Sequence, residues 1–297
     1  TSHTFTHAYW GYHDEGGTFE YLTDKNSTSS YGEVTLPVGS VSKEIFASKQ
    51  IIEDLFGGSG GLGLISPGIS SNHVDKYGDN GVFYPTCQKI YDELVLKAIE
   101  NGDIVTTRGA FSSMSQIANG VTYHYELADK KNRIDIPSYM IYDNTSTNGS
   151  SYSYFDTHWK LYIDEAMKNR GWAVFCIHNI ANSYYAISDA EANKLFTYTD
   201  RDDVWVATYS EASLYYCEWS TAKVSTSYVN GELKVTLTDN EKDEVFNMPL
   251  TVEVKVPSDW GTAISGGNRY EVRSNGEYNY ILIDIVPDSG TVTIARG

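Results

Sequence analysis

Basic residues are scarce in this chain. Lysine and arginine total 22 against 39 aspartates and glutamates, a formal charge of -17 over 297 residues. Nucleic-acid binding needs a positive footprint that displaces counterions from phosphate, so this balance excludes nucleic acid as an expected partner. Otherwise such acidity reads as a solvated surface. Cysteine is also rare: Cys87, Cys176 and Cys217 show neither metal-ligand spacing nor the density of a disulfide framework. Cys176 lies in an apolar run and is expected to be a small buried hydrophobe. No apolar run approaches the ~20 residues of a membrane-spanning helix, so no membrane span is expected. No secretory leader pattern is found either, and the opening Thr1-Ser2-His3-Thr4 gives the expectation of a processed or incompletely represented N-terminus.

What is plentiful points elsewhere. Hydrophobic residues make up 41 % of the chain, enough for a sizeable core, and the length suits one large domain with a smaller one. The 24 tyrosines and 6 tryptophans stand among many Ser, Thr, Asn and Gly residues, a composition shared with secreted carbohydrate-active proteins. Aromatic faces suit sugar rings, although many must serve as core or sheet surface. Asn26, Asn144 and Asn148 open weak glycosylation sequons.

Residues 12–40 are rich in Gly, Ser, Thr and Asp and read as a loop or insertion. From Ser42, a plausible N-cap, Ile45, Ile51, Ile52 and Leu55 recur at helical spacing until Gly57-Gly58. A short strand over 62–65 precedes the Pro67-Gly68 turn. A helix is expected over 87–100, with Ile90, Leu94 and Ala98 on one face, then a strand over 104–107 ending at Arg108. A helix over 159–168 stops before Gly171, and 172–177 is an apolar run suited to a strand covered on both faces. A helix over 189–199 and a strand over 204–208 complete an alternation typical of α/β folds. Past residue 222 the period becomes two: 224–229 and 233–237 flank Asn230-Gly231, a hairpin turn signal, and Asn275-Gly276 marks a second turn. The expected domains are therefore 1–222 and an all-β, sandwich-like 223–297.

Three features carry possible chemistry. His3 and His7, four residues apart, can turn both imidazoles toward one cation, or can belong to a mobile N-terminus. His178 follows an apolar strand at the edge where parallel α/β folds build sites. Its near-neutral pKa suits a general acid, and a satisfied structural histidine is the alternative. Arg108 also closes a strand, and an ordinary surface arginine is its alternative. His13, His73, His124 and His158 lie in polar contexts and are expected to be solvated.

These features together resemble the NodB-type polysaccharide deacetylases, carbohydrate esterase family 4. His3-Thr4-Phe5-Thr6-His7 matches the family's His-Thr/Ser-x-x-His metal motif. Arg108-Gly109-Ala110-Phe111 loosely resembles its arginine motif, and Ile177-His178 its late histidine motif. Ile65-Ser66-Pro67-Gly68 resembles a Pro-Gly turn many members carry, and 171–180 with 202–209 looks like the closing segment of bacterial members. The resemblance spans about residues 1 to 222. It implies an α/β fold, a distorted (β/α) barrel incomplete at its N-terminus here, followed by the β domain. It further implies a divalent metal, zinc above others, held by His3 and His7, with His178 as general acid and Arg108 orienting a catalytic carboxylate. The expected substrate is an acetylated polysaccharide or oligosaccharide, and the expected location is secreted or cell-surface. The family's Thr-Phe-Asp-Asp-Gly motif, source of its general base and third metal ligand, does not occur in residues 1–297. It is expected on an upstream fragment of the same protein.

Two rivals remain beside a deacetylase: a non-catalytic carbohydrate-binding protein, favoured by the missing aspartates, and a small-molecule metalloesterase. For the β domain a packing or spacer role is expected ahead of glycan binding, which would need Trp260 and tyrosines aligned on one exposed face.

Overall fold

A computed structural model describes residues 50–55, 95–109, 124–141, 155–177, 179–180 and 186–297, together with the backbone of short strands at 11–13, 19–21, 27–31, 34–38 and 62–65. The chain divides into two compact units, Thr1–Ser213 and Leu214–Gly297.

In the first unit, β1 (Gly11–His13) pairs antiparallel with β2 (Phe19–Tyr21), and β3 (Ser27–Tyr31) with β4 (Val34–Val38). Residues 50–55 and 95–101 are helical. β5 (Leu62–Ile65) runs parallel to β6 (Ile104–Arg108), and a single parallel bridge joins Arg108 to Ile136. Short 3-10 helices, His124–Ala128 and Lys130–Arg133, precede β7 (Tyr139–Ile141), which runs parallel to β8 (Phe175–Ile177). β9 (Asn179–Ile180) and β10 (Ala186–Ile187) form a third parallel pair.

Between β7 and β8, the π-helical turn Phe155–Trp159 leads into α1 (Lys160–Asn169). Arg170 stops this helix in the left-handed conformation, φ 51°, and the Gly171 N–H donates to the Ala166 carbonyl at 2.8 Å. Ser188 caps α2 (Asp189–Thr199) by accepting from the Glu191 N–H. Tyr139, Ile141, Phe155, Trp159, Tyr162, Ile163, Ile187 and Leu195 pack into one core drawn from β7, β10 and these helices.

The second unit begins within α3 (Tyr209–Thr221). Its antiparallel strands are β11 (Lys223–Val229), β12 (Glu232–Thr238), β13 (Leu250–Val256), β14 (Thr262–Ser265), β15 (Asn268–Glu271), β16 (Arg273–Ser274), β17 (Asn279–Ile285) and β18 (Thr291–Arg296). They form a five-stranded sheet, order β11-β12-β18-β14-β15, and a three-stranded sheet, order β13-β17-β16. Alternation places Leu250, Val254, Val256, Ile281, Ile283 and Ile285 inward from the smaller sheet. Val235, Leu237, Ala263 and Ile294 come inward from the larger, and all share one core with Trp260. Trp260 is thus a core residue, and no exposed aromatic row is built on it.

The expected α/β fold with a distorted (β/α) barrel is not what the chain forms. Among the described residues the parallel strands occur as three separate two-stranded sheets, and antiparallel pairings outnumber them. Closing a barrel requires each parallel strand to pair on both sides. Among the described pairings of these strands, β6 has a second neighbour, through one isolated bridge. The expected strand over 204–208 is also absent. Thr208 and Glu211 instead form a reciprocal cap at the start of α3, leaving Trp205 54 % and Val206 68 % exposed.

Candidate functional site

β6 is buried along its whole length, although three of its five residues are polar. Each finds a specific partner, as burial requires. Thr106 Oγ1 donates to Tyr209 Oη at 2.9 Å and lies 2.8 Å from Ser213 Oγ, linking the strand to the first turn of α3 within the first unit. Thr107 Oγ1 accepts from the Asp135 N–H at 2.8 Å, and its carbonyl accepts from the Ile136 N–H at 2.7 Å. Arg108 is 7 % exposed. Its guanidinium donates to Ser138 Oγ at 3.0 Å and to the Gly109 carbonyl at 3.3 Å, while the Ser138 hydroxyl donates to that same carbonyl.

Close backbone packing makes this arrangement possible. The Gly109 N–H donates to the Ile136 carbonyl at 2.9 Å, and a Cβ on Gly109 would stand 3.0 Å from the Asp135 carbonyl oxygen. Asp135 itself adopts φ 57°. Arg108 therefore lies at a buried strand end, and its acceptors among the described residues are neutral oxygens. Both of these bonds leave from the same guanidinium nitrogen, Nη1.

Of the residues singled out from sequence, Arg108 alone falls within this cluster. His3, His7 and His178 lie outside the described residues. The residue before His178, Ile177, is registered with Ile141, whereas Arg108 is bridged to Ile136. No group of three or more His, Cys, Asp or Glu that could hold a metal ion occurs among the described residues. His158, expected to be solvated, is half-buried in the turn before α1, and burial holds its pKa below the usual histidine range. Burial likewise raises Tyr162, whose hydroxyl accepts from the Val174 N–H at 3.3 Å.

The sequence reading did not find Ser138, Tyr209 or Ser213. The adjacent Thr106 and Thr107 of β6 are the available signal, since buried hydroxyls demand partners.

No family model matches the chain, and no solved structure matches it. It is similar to Gellan lyase of Bacillus sp, 29 % identical over 178 residues. That match covers 53 % of this chain and 7 % of the lyase, so the chain spans a small part of its curated relative's length.

Proposed function

We propose that this chain is one part of a larger carbohydrate-active protein and that it works on a polysaccharide. The similarity to Gellan lyase, an enzyme whose name places it on the polysaccharide gellan, carries this reading. The many tyrosines and the shortage of basic residues accord with a neutral or weakly charged glycan partner and not with nucleic acid. Among the described residues no helix is long and apolar enough to cross a membrane. Action outside the cell, as a secreted or surface protein, belongs to the same proposal.

The finer reading is deacetylation, and its support is the spacing of His3, His7 and His178 together with Arg108. Hydrolysis of an acetyl group adds water across the acyl bond, and the leaving oxygen or nitrogen must take up a proton. The His178 imidazole suits that donation, while Arg108 would hold an anionic partner in place. His3 and His7 would be ligands of a divalent ion such as zinc. The described residues contain no group fit to hold that ion, so no step is derived through it.

The test uses the full chain with gellan and with acetylated glycans, following retardation in glycan-loaded gels and release of acetate. Retardation without acetate release, unchanged in His178→Ala, supports the coarser reading alone. Acetate release that His178→Ala abolishes while bound metal persists supports deacetylation. Absence of both retardation and product overturns the proposal.

A further inference from the structure

Two carboxylate oxygens of the second unit, Glu218 Oε2 and Asp239 Oδ2, are buried and find no hydrogen-bond partner among the described residues. Glu218, in α3, is fully buried, and its other oxygen accepts from the Met248 N–H at 2.9 Å. Asp239 follows β12 directly. Its Oδ1 accepts from the Glu241 N–H at 2.8 Å, and its own N–H donates to Asp288 Oδ2 at 3.1 Å. The Asp288 N–H in turn donates to the Leu237 carbonyl at 2.9 Å. Each carboxylate is therefore anchored through one oxygen, and its other oxygen has no hydrogen-bond partner among the described residues.

Two such groups cannot both stay ionised cheaply, because a buried charge needs a counter-charge or a proton. Among the described residues, the charged groups that act on these two carboxyls are acidic. Along the segment after β12 they are Asp239, Glu241 and Asp243, and from the β17–β18 turn Asp288 adds a further negative charge. Lys242, in the same segment, is exposed. A calcium-class ion would gather about six to eight oxygens. No three acidic, histidine or cysteine groups converge for one among the described residues. A proton needs only the oxygens present.

We propose that Glu218 keeps a proton in the folded chain near neutral pH, and that losing it loosens the 239–248 segment, bonded to this carboxyl through the Met248 N–H, from α3 as a pH-operated latch. Burial first, then repulsion from Asp239, Glu241 and Asp243, pushes Glu218 up to about 8, and burial and acidic neighbours raise Asp239 as well. The sign follows. Between the ordinary 4.5 and about 8 the folded form keeps a proton that the unfolded chain has lost. Stability is then full below that window, falls as pH rises through it by up to about tenfold in the folding constant per unit, and is lowest above it.

The experiment measures thermal unfolding of the full chain from about pH 5 to about pH 9 for wild type, Glu218→Gln and Asp239→Asn, with infrared detection of a protonated carboxyl. Wild type should lose stability toward alkaline pH and lose its carboxylic-acid band over the same interval. Glu218→Gln should lack that band and flatten the profile. Asp239→Asn, which removes a like charge and keeps Glu218, should end its fall at lower pH. Variants that retain the wild-type profile overturn the proposal. So does an alkaline loss that added calcium reverses in wild type and not in Glu218→Gln, since the pair would then be a cation site.

Discussion

At the scale of single residues, Gly109 shows how a backbone contact fixes a side chain. A Cβ there would press on the Asp135 carbonyl at 3.0 Å and on the Asp135 Cβ at 3.2 Å, with rigid backbone on one side. Gly109→Ala should destabilise the first unit by about 1–3 kcal/mol, read as a lower urea midpoint at unchanged slope. Gly261→Ala is the matched control, since nothing lies within 4 Å of its added carbon, and it should stay within about 0.5 kcal/mol. Equal losses in the two variants would refute the packing account of Gly109. The position of Arg108 at a strand end is legible in the sequence, because the β-branched run Ile104-Val105-Thr106-Thr107 closes on it. Its burial and its bond to Ser138, 30 residues away, are not, since they depend on Ile136 crossing beside β6.

Among elements, the second unit's hairpins follow their local chemistry closely. Asn230 and Gly231 take φ 54° and 84°, the left-handed pair that a two-residue turn requires between β11 and β12. No side chain crowds Gly231, so Gly231→Ala should cost only its backbone strain, roughly 1–2 kcal/mol, seen as a lower melting temperature with the fold's circular dichroism retained. An unchanged melting temperature would mean that the turn does not hold its φ. At 204–208 an apolar stretch suggested a strand, yet the Thr208–Glu211 cap won because a satisfied helix start needs no distant partner. The apolar run over 172–177 yields only the three-residue β8, whose residues are half-buried. Half-buried side chains on β8 are not the cover on both faces that the run suggested.

For the molecule as a whole, acidity is the dominant long-range force. A formal charge of -17 opposes compaction through self-repulsion. Raising ionic strength from about 0.01 M to about 0.15 M shortens the screening length from about 30 Å to about 8 Å. The melting temperature of the chain should therefore rise over that range. A flat or falling response would show that its carboxylates are already neutralised by local partners. The acidic neighbours of the buried Glu218 make it costly to ionise, which ties a residue-scale feature to the composition of the chain.

The sequence by itself determined what depends on neighbours in the chain: the helix over 189–199, the glycine-assisted hairpins, the alternation of β13 and β17 and the expected burial of Ala98. Those signals are short-ranged, set by φ preference, capping and periodicity. Only the tertiary structure decided how many neighbours each parallel strand finds, that Trp260 enters a core, and that Glu218 is sealed from water. Each of these outcomes requires segments tens of residues apart to meet, and desolvation energies appear only once they do.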